Sequence, residues 1–190
     1  MSFREHPVHL IGGRTCLDFV NTANWNSDGT IAVERLAGIE DVRIWMKAAG
    51  LACQPASSWW ELEVSIWTFR ASLRRILIAA SEGAAPQPAD VARLNQAATQ
   101  AGQQFPLHIS KGAVAMASHL PLLYCLSVSA VAVLTDQREI GRVKLCPGKG
   151  CGWMFLDESA NGRRQWCSME LCGNREKARR HYAKKRDSES

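Results

Sequence analysis

Four cysteines carry the clearest chemistry in this chain: Cys146, Cys151, Cys167 and Cys172 fall as C-x4-C-x15-C-x4-C. Thiolates that arrive as two close pairs, separated by a short supersecondary unit, are the ligand pattern of a structural zinc site with four tetrahedral ligands. Pro147, Gly148, Lys149 and Gly150 supply a flexible turn inside the first pair. The spacing therefore predicts one structural Zn2+ per chain. Four thiolates leave no position open for water or substrate, which disfavours a catalytic metal. Four free or disulfide-bonded cysteines are the competing reading.

The stretch after Cys172 is dense in positive charge. Residues 142–186 hold 12 Lys+Arg against 4 Asp+Glu, a surplus of 8, while the rest of the chain holds 11 against 14. The formal net charge of +5 thus conceals a basic last third on a mildly acidic body. Such asymmetry points to DNA or another polyanion as partner. Arg163, Arg164, Asn174, Arg175, Lys177, Arg179, Arg180, Lys184 and Lys185 are the candidate nucleic-acid-binding residues. A solvated charged face is the bland alternative for such a run.

These residues need elements to hold them. Between the cysteine pairs, residues 153–156 and 163–166 read as the two strands of a hairpin around the turn 159–162. Asn174 is a good helix N-cap and Glu176 suits the positive end of a helix dipole, so a basic helix is expected to start beside the metal. Ala178 and Tyr182, four apart, would pack it back on Trp166 or Trp153.

Upstream, a glycine turn at Gly12 and Gly13 leads into an apolar helical patch on which Asp18 and Asn21 share a face. They are a buried hydrogen-bonding pair or, with Arg70, candidate ligand-binding residues. A polar loop over 24–29 precedes helices over 40–49, 58–82 and 90–102, with Ser57 or Ser58 capping the longest. Arg70, Arg74 and Arg75 lie on or beside its apolar stripe, where arginines commonly reach the surface on snorkelling stems. Short alternating segments around Lys111 and Gly112 read as a hairpin, and 120–136 as a buried helix. Residues 112–135 lack any Asp, Glu, Lys or Arg, but His119, Pro121 and several serines argue for a core segment and against a membrane span.

Cys16, Cys53 and Cys125 sit singly in apolar surroundings and read as buried small hydrophobes. With a polar N-terminal segment and clustered cysteines, the reading is a cytoplasmic protein. No nucleophile elbow, phosphate loop or metalloprotease motif is present, and the histidines form no convincing ligand pair, so an enzyme is not expected.

The runs Cys151-Gly152-Trp153-Met154-Phe155-Leu156-Asp157-Glu158-Ser159, Arg163-Arg164-Gln165-Trp166-Cys167-Ser168-Met169 and Cys172-Gly173-Asn174-Arg175 resemble the CGNR zinc-finger family, named for that last tetrad. In that family the finger follows a helical domain called ABATE, which opens with a segment similar to Cys16-Leu17-Asp18-Phe19-Val20-Asn21-Thr22. The resemblance implies a stress-linked bacterial transcription regulator whose finger binds DNA. It carries over the four cysteines as zinc ligands and no catalytic residue.

The expected architecture is mainly α: a helical domain over 1–141 with a small β-hairpin, then a treble-clef- or ribbon-like four-cysteine zinc finger over 142–190 ending in the basic helix. The expected function is DNA-binding regulation, with the helical domain sensing a small-molecule effector or forming a homodimer. A protein- or small-molecule-binding module with the finger as scaffold is the alternative.

Overall fold

The computed structural model describes residues 2–52, 59–104, 108–110, 112–115 and 121–188. Cys53, His119 and the expected cap at Ser57 or Ser58 lie outside them. The glycine turn leads into α1 (Thr15–Val20), whose Cys16, Leu17, Phe19 and Val20 are fully buried. Strands β1 (Ala23–Trp25) and β2 (Ile31–Glu34) form an antiparallel hairpin where the sequence predicts only a polar loop. Strands this short show little alternation, and the Asp28-Gly29 pair is the one turn signal between them.

Helix α2 (Ile39–Ala48) buries Val42, Trp45 and Met46, the face its spacing predicts. Helix α3 (Trp59–Ser81) is the longest among the described residues and buries Ile66, Phe69, Leu73, Ile76 and Leu77. Next come α4 (Pro88–Gln104) and a hairpin of β3 (His108–Ser110) with β4 (Ala113–Ala115), as the alternation predicts. Helix α5 (Leu122–Thr135) follows, then the short α6 (Gln137–Ile140), whose Asp136 cap accepts hydrogen bonds from Arg138 N and Glu139 N. Among the described residues no helix is long and apolar enough to cross a membrane.

The last segment pairs β5 (Val143–Leu145) with β6 (Met154–Leu156), then forms a π-helical turn (Met169–Gly173) that runs into α7 (Asn174–Ser188). The fold is mainly helical, with 52% helix and 9% strand, and its strands form only two-stranded hairpins among the described residues. Helices α3, α4 and α5 pack on one another, and α1 packs against α3, α5 and β6.

Strand β6 joins two cores. Side chains alternate across a strand, so Met154 and Leu156 enter the large helical core while Trp153 and Phe155 enter a second cluster with Cys146, Cys151, Cys167 and Cys172. The outer edge of β6 is held by Asn21, which is 3% exposed. Its Nδ2 donates to Met154 O and its Oδ1 accepts from Met154 N, both at 2.8 Å, as a neighbouring strand would. Leu156 N donates to Gly12 O at 2.8 Å and Trp25 N to Cys151 O at 3.2 Å. Gly152 sits at φ +61°, and a Cβ there would lie 2.6 Å from Trp25 O, so the approach of β1 requires glycine.

The arginines of α3 depart from the expected snorkelling. Arg70 is 0% exposed and Arg74 6% exposed, whereas Arg75 reaches solvent and bridges to Asp90 on α4. Arg70 donates to Glu34 and to Thr22 Oγ1, so its charge is balanced inside the protein. Arg74 has no hydrogen bond or ion pair among the described residues and lies 4.7 Å from the Trp25 ring centroid. Its Nε–H is buried without a partner among the described residues, and the Trp25 ring supplies a cation–π contact worth about 0.5–2 kcal/mol.

Replacing Asn21 with Ala would leave the Met154 backbone donor and acceptor without partners between the two cores. The expected loss is about 2–4 kcal/mol of unfolding free energy, read by urea denaturation of the zinc-loaded protein.

Candidate metal centre

The four cysteine side chains are buried, and their sulfurs lie within 4.8 Å of one another. Cys151 Sγ is 3.7 Å from Cys167 Sγ, which is 3.6 Å from Cys172 Sγ. Thiolates about 2.3 Å from a tetrahedral zinc are about 3.8 Å apart, so the sulfurs occupy the corners that a single Zn2+ requires. Each ligand is placed by its own element. Cys146 and Cys151 stand at the end of β5 and just before β6, with Cys146 N bonded to Trp153 O and Cys151 N to Gly148 O. Cys167 precedes the π-helical turn, and Cys172 lies within it.

The electrostatics also call for a cation. Hydrogen bonding from Cys151 draws the Cys146 thiol down, while hydrogen bonding to Cys146 pushes Cys151 and Cys167 up. Left to themselves, Cys146, Cys151 and Cys167 resist ionising together; a divalent ion among them removes that restriction. Arg175 Nη2 lies 3.3 Å from Cys172 Sγ and offsets part of the negative charge of a zinc tetrathiolate. The Cys-Gly-Asn-Arg tetrad thereby acquires a physical account. Cys172 is the ligand, Gly173 leaves room for Met169 and Trp166, whose atoms would meet a Cβ at 2.5 Å and 3.3 Å, and Arg175 faces the sulfur.

Three local expectations are corrected here. The segment 163–166 is no return strand, because β6 pairs backward with β5 across the Cys146–Cys151 turn. The loop after β6 is instead organised by buried Asp157, which accepts from Lys144 Nζ, Ser159 N, Ser159 Oγ and Arg164 N. Lys144 also donates to Gly162 O and Arg164 O, and its hydrogen bond holds the Asp157 carboxyl well below the usual carboxylate range. Asn174 does not cap the basic helix. Ser168 does so six residues earlier, its hydroxyl accepting from Glu170 N and Leu171 N, which leaves Asn174 inside the continuous helix. Finally, Tyr182 is 70% exposed and Ala178 is exposed, so neither packs on Trp153 or Trp166.

The cations divide into two groups. Arg164 is committed within the finger: its guanidinium lies 4.4 Å from the Phe155 ring centroid and donates to the carbonyls of Ile11, Leu156, Trp166 and Cys167. Such a side chain is not available to a phosphate. Arg163, Asn174, Arg175, Lys177, Arg179, Arg180 and Lys185 reach solvent to differing degrees, with Arg179 paired to Glu176 at 2.8 Å. The Lys184 side chain lies outside what is described.

Asp18, Asn21 and Arg70 do not form one cluster. Asp18 and Asn21 line a narrow recess with His9, Arg35 and Trp153 that has no room for a water-sized molecule, and Arg70 is not among its lining residues. Asp18 Oδ1 accepts from Gly12 N at 2.8 Å. Of the lone cysteines, Cys16 is a free buried thiol as expected, whereas Cys125 is half-buried and disulfide-bonded.

Two outcomes are expected. Zinc analysis should give one ion per chain, falling in Cys151→Ser, and chelation should lower a single calorimetric transition without splitting off a separate finger transition, because β6 belongs to both cores. Burial raises Asp18 from 3.8 to about 6 against the opposing Gly12 and Ile11 N–H bonds. Between those values the native state binds the extra proton, so stability falls as pH rises and the deficit is constant above about 6. Asp18→Asn should therefore gain up to about 3 kcal/mol at pH 7 relative to pH 4, measured by denaturation at both.

The geometry agrees with what the chain is similar to. The CGNR zinc finger model matches residues 142–185, and ABATE, described as "Putative stress-induced transcription regulator", matches residues 13–137. No curated protein matches the chain. With the helical core, the tetrathiolate centre and the helix leaving it all covered by these two matches, the chain belongs to the ABATE family and carries a CGNR zinc finger after its helical part.

Proposed function

We propose that this protein is a DNA-binding transcription regulator in which the four-cysteine zinc site aims α7 at DNA. The observation that carries this reading is the continuity of the π-helical turn holding Cys172 with α7. The metal thereby sets the direction of a basic helix whose main packing is against that turn. Fifteen residues extend about 22 Å at 1.5 Å each, a length that fits along a major groove wide enough to admit a helix.

The cations of α7 surround the helix and so suit neutralisation of phosphates on both sides of a groove. Lys177 and Arg180 are exposed and have no ion pair among the described residues. In this reading residues 142–190 hold DNA, while residues 1–141 sense a small-molecule effector or assemble a homodimer. The two parts communicate through β6 and the Asn21 clamp, which belong to neither alone.

A second reading is supported by an open groove of about 560 Å3 lined by Ile78, Glu82, Val143, Leu145, Arg164 and Trp166. It sits where α3 meets β5 and would suit a small-molecule or peptide ligand, with the finger as scaffold.

Fluorescence anisotropy with duplex DNA at low salt separates the two. Joint replacement of Arg179, Arg180, Lys184 and Lys185 by Ala should weaken binding by at least about 100-fold and flatten the salt dependence by about three to four phosphate contacts. Equal, weak binding by both proteins would sink the helix as a DNA contact and leave the scaffold reading.

A further inference from the structure

Arg74 stands apart among the described charges of the molecule. It is 6% exposed, a guanidinium cannot shed its proton to escape burial, and among the described residues it has neither ion pair nor hydrogen bond. Burial alone disfavours its charged form. Its Nη1 would lie 3.9 Å from a Cβ placed on Gly29, so it reaches the turn between β1 and β2, where Asp28 and Gly29 are exposed.

The second observation is one turn back on the same helix. Arg70 is fully buried and also lies over Trp25, at 5.7 Å against 4.7 Å for Arg74. Its terminal nitrogens are used by Glu34 and Thr22, but among the described residues its Nε–H has no partner, nor has the Nε–H of Arg74. Trp67, three residues before Arg70, has a buried Nε1–H without a partner among the described residues as well. Residues 67, 70 and 74 recur at i, i+3 and i+7 and so share a face of α3.

Among the described residues neither nearby carboxylate pairs with Arg74: Glu34 is held by Arg70. Asp28 is the nearest acidic residue on the turn, yet its Oδ1 is taken by Thr30 N at 2.9 Å and Thr30 Oγ1 at 2.6 Å. A guanidinium that finds no carboxylate among the described residues, with its Nη1 at a surface turn, is suited to an anion supplied from outside.

We propose that Arg74, stacked on Trp25, binds a small oxyanion, a carboxylate or phosphate group entering at the β1–β2 turn. The guanidinium fork matches either group with paired hydrogen bonds, and the Trp25 ring holds the fork in place. The anion neutralises the unpaired charge and ties α3 to the β1–β2 hairpin. Strand β1 in turn contacts the finger through the Trp25 N bond to Cys151 O, so occupancy is felt at the backbone of a zinc ligand. Only this regulatory consequence rests on the reading of the helical part as a sensor; the binding does not.

The test uses the zinc-loaded full chain in thermal-shift and calorimetric titrations with sodium phosphate and with sodium acetate, each against sodium chloride at equal ionic strength. One or both anions should stabilise the wild type saturably, with the folded-to-unfolded ratio rising about a hundredfold at a hundredfold excess over Kd. The anion bound more tightly identifies the source as phosphate or carboxylate. Arg74→Met should lose the response and, freed of an unpaired buried charge, should match or exceed the wild-type Tm in chloride. The response should survive in Arg179→Ala/Arg180→Ala, whatever happens there to DNA affinity, which separates this site from the proposed DNA contact. The proposal is overturned if neither anion acts saturably on the wild type, if Arg74→Met keeps the response, or if the Arg179/Arg180 variant loses it. It also fails if Asp28→Asn destabilises the wild type but not Arg74→Met, because Asp28 then neutralises Arg74 in solution.

Discussion

A strand buried on both faces has to satisfy its backbone with whatever borders it, and β6 meets that constraint in an uncommon way. Its inner edge pairs with β5, but its outer edge is closed by the Asn21 carboxamide and the Gly12 carbonyl. A side-chain amide can imitate a peptide unit because it offers one acceptor and two donors in a plane. The helical core and the finger are consequently not beads on a string. Met154 and Leu156 belong to one, Trp153 and Phe155 to the other, and disturbing either core moves the same three-residue strand.

The second constraint is charge. A zinc tetrathiolate carries two negative charges, and the protein provides Arg175 on Cys172 and Arg35 close enough to feel Cys151. Arg35 also lies over Trp153, 5.6 Å from the ring centroid, and donates to Asn24 Oδ1, so it sits at the seam between the finger and β1. Part of the positive charge that a composition count assigns to a nucleic-acid surface is therefore internal. Arg164 and Lys144 are the clearest cases: Arg164 donates to backbone carbonyls including that of Ile11, and Lys144 donates to Asp157 and to the carbonyls of Gly162 and Arg164. What remains exposed is concentrated on α7.

Much of this was legible residue by residue. The cysteine spacing predicts the ligand set, the 3.6-residue pattern of Val42, Trp45 and Met46 predicts α2, and the stripe from Ile66 to Leu77 predicts α3. The β1–β2 hairpin was not legible, since strands of three and four residues carry almost no periodic signal. Nor was the Ser168 cap, although serine followed by Glu170 and Leu171 is an acceptable helix start. Asn174 looked equally suitable, and only the position of the π-helical turn discriminates between them.

By itself the sequence determined the four ligands, the helix faces and the basic character of the last third, because ligand spacing and apolar periodicity are local properties of the chain. Tertiary structure alone decided which strand pairs with β6, which cations point inward, and that Asn21 would act as a substitute strand. It also decided that Glu34 would neutralise Arg70 and that Arg74 would pair with no carboxylate among the described residues. Those outcomes depend on residues distant in sequence, Asn21 with Met154 and Arg70 with Glu34, and an ion pair or hydrogen bond between distant residues has no signature until the fold brings its two halves within about 3 Å.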